Sequence, residues 1–208
     1  MDFSLFEFLK DRESERLSTD VKKLELEKGI ILYQPPQRIT PIFEIIQGAI
    51  RIGTYSPLGE EVCYDILKSG DFFGNLQYLN GQFCEFAKTL TPVRLRVYDF
   101  DYFRKVTTHI PEAATWFAYH LVSRWCRAEN RLFAVRSLDA EEKVKRTLEQ
   151  FQGIVTDGNE KQHSLPSLLT HQDIADLTGM TRQTVSKVLR KKMIGSQTTR
   201  PLRKKTTI

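Results

Sequence analysis

The sequence predicts an α+β chain in which a β-rich N-terminal domain, one long helix and a small C-terminal helical domain follow one another. Three observations carry this. Short apolar runs separated by glycines occupy residues 21–101, a helix-period apolar stripe occupies 111–136, and a capped helix–glycine–helix pattern occupies 170–189. At 208 residues the chain exceeds a common single domain of roughly 100–150 residues, so two cores are expected. Hydrophobic residues make up 40% and charged residues 27%, a globular composition that excludes a mostly disordered chain.

Phe3, Leu5, Phe6, Leu9 and Leu17 space out as short amphipathic helices over residues 3–17. β-type runs then follow at Leu24–Glu27, Gly29–Tyr33, Ile42–Ile46, Ala49–Tyr55, Glu61–Leu67 and Leu90–Tyr98. Their regular spacing predicts a sandwich or barrel, with glycines such as Gly48, Gly70 and Gly74 at the corners. Pro111 opens a helix to about Arg136, in which Ala118, Leu121, Trp125, Ala128, Leu132 and Val135 recur with gaps of three and four. That spacing predicts a coiled-coil dimer seam, with Phe117 and Phe133 lying off it. Ser137-Leu138-Asp139 breaks the helix as a hinge candidate, and Asp139 caps a further helix from Ala140 to Phe151. Residues 153–167 are turn-rich and read as a loop or small hairpin.

The chain's bulk properties exclude several functions. Met1–Lys10 carries Asp2, Glu7 and Lys10 and lacks the basic start and long apolar core of a signal peptide. No run approaches the roughly 20 apolar residues of a membrane span. Cys63, Cys84 and Cys126 are odd in number and far apart, which fits a reducing compartment; a cytoplasmic protein is expected. The net charge of +5 is unevenly placed: Arg182–Ile208 holds nine Lys/Arg and no Asp/Glu, leaving 22 basic against 26 acidic residues elsewhere. A local cationic segment on a slightly acidic body is the footprint expected for nucleic acid.

Thr170 to Leu189 gives that segment a structure. Thr170 caps a first helix with Asp173 three residues on, a variant of the capping box. Ala175 is small where two helices approach, Gly179 supplies the turn, and Thr181 caps the second helix. Ile174, Leu177, Val185, Val188 and Leu189 form the inner face, leaving Arg182, Gln183, Thr184, Ser186 and Lys187 outward. Such side chains suit base edges and phosphates: Arg to guanine, Gln to adenine, Lys to guanine or phosphate. This is the layout of a helix-turn-helix, whose second helix enters the major groove by its N-terminal end. The expected DNA-binding residues are Thr170, His171, Thr181, Arg182, Gln183, Thr184, Ser186, Lys187 and Arg190.

On the run Thr181-Arg182-Gln183-Thr184-Val185-Ser186-Lys187, and on the order of its segments, the chain resembles the cyclic-AMP receptor protein and fumarate-nitrate-reduction regulator (Crp/Fnr) family of bacterial transcription factors. The resemblance covers about residues 5–190. It implies a double-stranded β-roll sensor of jelly-roll, cyclic-nucleotide-binding-like type (1–110), a long dimerisation helix (111–137) and a winged-helix-like helix-turn-helix domain (138–208). Implied partners are double-stranded DNA with a near-palindromic operator, a second copy of the chain, RNA polymerase, and a small effector whose identity is open.

Departures from the family pattern shape these expectations. Glu44–Ile52 with Gly48, and Gly70-Asp71-Phe72-Phe73-Gly74, look like the roll and the entry to its phosphate-binding cassette. Cyclic-nucleotide binders follow with Glu and later Arg-Ser, where this chain has Asn75 and Glu85-Phe86; a carboxylate there repels phosphate. The adenine-binding pair of the long helix aligns with Ala128-Glu129. Gly74, Asn75, Leu76, Glu85, Phe86, Arg124 and Ala128 therefore read as a degenerate effector pocket that does not take a cyclic nucleotide. Three cysteines, none before Cys63, argue against the family's iron–sulfur cluster, and no cofactor is expected. His109 and His120 read as a loop residue and a helix-face residue. In the recognition run, Gln183 and Lys187 stand where Glu and Arg are frequent. After it, Lys191–Gly195 leads into a basic, poorly patterned tail where a wing should follow.

Two rival readings differ in kind. An enzyme built on a β-roll needs ligands, and no His occurs from residue 24 to 100, so neither a metal site nor a catalytic role is expected. Alternatively the roll is only a dimerisation or protein-binding module, with regulation set by abundance.

Overall fold

The N-terminal domain places two four-stranded antiparallel sheets face to face, and their strand order follows from the register of the pairs. A computed structural model describes residues 3–77 and 84–197. The strands are β1 (Val21–Leu26), β2 (Ile31–Tyr33), β3 (Ile42–Gln47), β4 (Ala49–Tyr55), β5 (Glu61–Lys68), β6 (Phe72–Phe73), β7 (Phe86–Thr89) and β8 (Val93–Tyr98). One sheet runs β1-β8-β3-β6 and the other β2-β7-β4-β5, a jelly-roll arrangement of the predicted class. Side chains from both inner faces, among them Phe43, Ile45, Ile50, Ile52, Leu67 and Leu95, form the core between them. The chain turns from β3 into β4 at Gly48, whose φ of +95° suits only glycine. A Cβ there would stand 2.6 Å from the Pro92 carbonyl oxygen.

β3 is buried on both faces over Ile42–Ile45, which explains why apolar residues occupy both sides of the strand. Its outer side is covered by α1 (Leu5–Arg12), α2 (Ser14–Asp20), α3 (Phe100–His109) and the start of α4 (Pro111–Ser137). Leu5, Leu9, Tyr98, Phe103, Trp116 and Phe117 make this second core. Glu44 is buried on this helix-covered side because Arg96 (3.1 Å) and the Tyr98 hydroxyl (2.7 Å) satisfy its carboxylate.

α3 corrects the sequence reading, which runs strands to about Asp101 and starts helix only at Pro111. Asp99 caps it, accepting from Tyr102 N–H at 3.0 Å. Phe100, Tyr102, Phe103 and Val106 have high β propensity, and burial in the second core overrides that local preference. His109 accordingly ends a helix and is not in a loop.

The C-terminal domain comprises α5 (Ala140–Gln150), the hairpin β9 (Ile154–Thr156) and β10 (Gln162–Ser164), α6 (Leu165–Leu168), α7 (His171–Thr178) and α8 (Arg182–Gln197). Asp139 caps α5 as expected, accepting from Glu142 N–H at 2.9 Å. Val144, Leu165, Ile174, Leu177 and Val185 share a core with Ala49, Cys63 and Ile66 of the roll, so the two domains are packed together. The helical backbone of α8 continues past the motif's last residue, Leu189, through Gln197. The tail of residues 198–208 lies outside the described residues.

Candidate nucleic-acid interface and sensor region

α7 and α8 form the helix-turn-helix, and each expected local signal has its hydrogen bond. The Thr170 hydroxyl accepts from Asp173 N–H (3.0 Å) while Asp173 Oδ2 accepts from Thr170 N–H (2.8 Å), a complete capping box. Gly179 closes α7 in the left-handed region, φ +64°. Thr181 then caps α8, accepting from Thr184 N–H at 3.2 Å. Val185 is fully buried, Val188 and Leu189 pack on the same core, and Arg182, Gln183, Lys187 and Arg190 are exposed.

Two members of the outward set are only partly exposed. Ser186 is half-buried, its hydroxyl donating to the Arg182 carbonyl (2.9 Å) and pairing with His171 Nδ1 (2.9 Å). Thr184 is half-buried against the Thr181 hydroxyl at 2.9 Å. The physical reason is the 100° step of the helix: both flank buried Val185, and their hydroxyls find partners in the cap of α8 for Thr184 and on α7 for Ser186. Ser186 and His171 thus tie the two helices together, while Thr170, His171 and Thr181 remain exposed at the same end.

α4 has two unlike faces. Arg124, Arg127 and Arg131 point to the roll, donating to the Phe72 carbonyl (3.2 Å), Asp71 (3.2 Å) and Asp65 (2.9 Å). The sequence singles out Arg124 but not Arg127 and Arg131; their i, i+3, i+7 spacing is the available signal. On the adjoining face Ala118, Leu121, Trp125, Ala128 and Leu132 are exposed, Trp125 by 65% and Leu132 by 58%. Val135 departs from that seam. It is half-buried, turned toward Gly179 of the helix-turn-helix, because this domain covers the last turns of α4. Phe133 is exposed near the outward face and Phe117 is buried in the second core.

Among the described residues the sensor positions are engaged with the protein itself. Gly74 adopts φ +119° where a Cβ would meet the Pro41 carbonyl, and Asn75 N–H donates to Thr40 Oγ1 at 2.7 Å. Leu76 packs on the helical core and Phe86 is fully buried, its ring 5.3 Å from that of Tyr55. Glu85 accepts from the Tyr33 hydroxyl (2.5 Å) and the Tyr64 hydroxyl (2.7 Å). Burial pushes its carboxyl above the ordinary range, opposed in part by those hydroxyls and by Arg124. Ala128, expected at both pocket and seam, is exposed, one helical turn from both Trp125 and Arg124. His120 is half-buried edge-on to Trp116, 4.6 Å between ring centroids, and burial lowers its pKa. A cleft of about 320 Å³ opens elsewhere, between α4, α5 and the end of α7, lined by Arg127, Arg131, Lys143, Arg146 and Leu177.

The comparisons with known proteins agree with this geometry. Residues 23–109 match the model of a cyclic nucleotide-binding domain and residues 142–191 that of a Crp-like helix-turn-helix domain. The chain is 25% identical over 193 residues to the global nitrogen regulator of Synechococcus elongatus, covering 89% of this chain and 84% of that protein. It is 26% identical over 174 residues to a CRP-like cAMP-activated global transcriptional regulator of Mycobacterium tuberculosis, covering 83% and 78%. Among solved structures, FixK2 from Bradyrhizobium japonicum superposes with a TM-score of 0.67 at 18% identity, over 85% of this chain and 86% of that one. A CooA mutant from Carboxydothermus hydrogenoformans gives 0.69 at 21%, over 93% and 86%. Two domain matches in the family's order, on a roll, long helix and helix-turn-helix with these contacts, make the chain a member of the Crp/Fnr family of DNA-binding transcription regulators.

Proposed function

We propose that the chain is a homodimeric regulator that reads a near-palindromic operator through Arg182, Gln183 and Lys187. The carrying observation is that these three are exposed around the first turns of α8 while Val185 between them is fully buried. An N-terminal helical turn so presented fits the major groove, with Thr170, His171, Thr181 and Arg190 near the backbone phosphates. Dimerisation is supported by the apolar stripe Leu121, Val122, Trp125 and Leu132, exposed by 42–65% along α4. Two-fold symmetry then sets half-sites about one helical turn apart, roughly 34–36 Å. RNA polymerase is a further partner in this reading, and the cytoplasm is its compartment. The chain has no catalytic role in it, in keeping with the regulators it resembles.

The effector in this reading is not a cyclic nucleotide, although the Mycobacterium relative is named as cAMP-activated. Glu85 is held by two tyrosine hydroxyls where a phosphate would need a cation, and the stretch from Asp71 to Phe86 holds no Lys or Arg. Complete burial of Phe86 favours a second reading, in which the roll takes no small ligand and serves dimerisation or protein binding alone. Selection of bound duplexes from a random pool, with and without cyclic AMP and with Arg182→Ala, tests the proposal. A palindrome independent of cyclic AMP and lost in the variant is expected. A motif that appears only with cyclic AMP overturns the effector assignment, and the absence of any motif overturns the DNA-reading residues. A ligand-dependent rise in melting temperature separates the two readings of the roll.

A further inference from the structure

α7 is held from outside its own domain. Asp173 and Asp176, one turn apart on this helix, both face the ribbon of β4 and β5 in the roll. Arg51 Nη1 donates to Asp173 Oδ1 at 3.0 Å, with the side chains 16% and 1% exposed. Its other terminal nitrogen pairs with Glu61, which in turn pairs with Lys88 at 2.9 Å. Asp176 Oδ2 accepts from the backbone N–H of Cys63 at 2.8 Å. This is possible because the register slips there: Ile52 opposes Asp65 but Gly53 opposes Cys63, so Tyr64 is an extra residue on β5. Asp173 therefore does two jobs at once. Oδ2 closes the capping box with Thr170 while Oδ1 binds the roll.

We propose that Arg51 is a positioning residue for DNA recognition: with Cys63 N–H it fixes α7 on the β4–β5 ribbon, and through α7 sets the bearing of the recognition helix. The inference rests on the DNA-reading role given to α8. The docking leaves Arg182, Gln183 and Lys187 exposed, so the contact orients the reading surface and does not cover it. A buried carboxylate that loses its cation is strongly disfavoured, so α7 cannot stay on the ribbon unchanged once Arg51 is gone. Arg51 also lies 5.7 Å from the ring centroid of Phe86, which places the clamp between the interior of the roll and the helix-turn-helix.

The test uses the full chain carrying Arg51→Met, Arg51→Lys, Asp173→Asn or the double Arg51→Met/Asp173→Asn. Asn keeps a neutral acceptor for the cap of α7. Arg51→Met is expected to weaken binding to the selected operator about tenfold, and to a random duplex by less than about twofold. Arg51→Lys should recover most of the loss, and the double variant should lose no more than the worse single one, because the pair acts as a unit. Paired spin labels on Cys126 and on Arg190→Cys, in a Cys84→Ser background, report the bearing of α8 without DNA; Arg51→Met should broaden their distance distribution. An unchanged distribution with unchanged operator affinity overturns the proposal, as does a parallel fall of operator affinity, random-duplex affinity and melting temperature. If the wild type selects no operator, the DNA-reading residues are at fault, and the label distances still decide whether Arg51 positions α8.

Discussion

The turn of the helix-turn-helix touches the long helix: a Cβ at Gly179 would stand 3.1 Å from Cγ1 of Val135. Gly179 also sits at φ +64°, so an alanine there suffers both backbone strain and a crowded neighbour. Gly179→Ala should destabilise the protein by about 1–2 kcal/mol. Urea unfolding of Gly179→Ala, Val135→Ala and the double variant checks this. The double should cost less than the sum of the singles, because trimming Val135 removes the crowding but leaves the strain.

The capping box of α7 gives a second expectation. Thr170→Ala removes the acceptor for Asp173 N–H and should cost about 1 kcal/mol in denaturant unfolding, with Thr170→Ser near wild type. Equal stability of all three would show that the cap contributes nothing beyond the packing of Ile174 and Leu177.

Base preference follows from one exposed amide. Gln183 suits adenine N6/N7, whereas a carboxylate accepts from cytosine N4. Gln183→Glu should exchange adenine for cytosine at one symmetric pair of operator positions, with discrimination of about 1–3 kcal/mol per base pair. Duplex selection with each protein reads this, and identical motifs would remove Gln183 from the reading surface.

Exposed Trp125 and Leu132 carry the dimer expectation. Trp125→Glu or Leu132→Glu places a charge in the apolar stripe of α4 and should shift the protein from dimer to monomer in analytical ultracentrifugation. Circular dichroism should hardly change, since neither side chain belongs to a core cluster. A dimer persisting in both variants would place the interface elsewhere.

Glu85 sets a pH dependence. Its carboxyl is raised in the fold, chiefly by burial. A raised pKa favours the native state while the group is protonated, below its unfolded value of about 4.3, and that contribution fades as pH rises through the folded value. Glu85→Gln is neutral throughout, so it should gain stability relative to wild type as pH rises from about 4 toward neutrality. Urea titrations across that range measure the difference; a constant offset would show that charge burial is not its source.

Signals confined to a few neighbouring residues are legible in the amino-acid order. The Thr170–Asp173 cap, the Gly179 turn, the Asp139 cap and the helix opened by Pro111 depend on partners within about one helical turn, and each appears where the sequence places it. α3 is not legible in this way, since its aromatic residues favour strands until the outer face of β3 and the start of α4 bury them. Nor is the partial burial of Ser186, which depends on how closely α7 and α8 pack.

By itself the sequence determined the order of roll, long helix and helix-turn-helix, the caps of α5, α7 and α8, and the cationic C-terminal end. Only the tertiary structure decided that Val135 packs beside Gly179, that three arginines of α4 bind the roll, and that Asp173 is shared between its own cap and Arg51. Arg51 and Asp173 are 122 residues apart, and no local pattern encodes such a pair. A buried carboxylate needs a cation or a donor, but which one it receives depends on the surfaces that packing brings together.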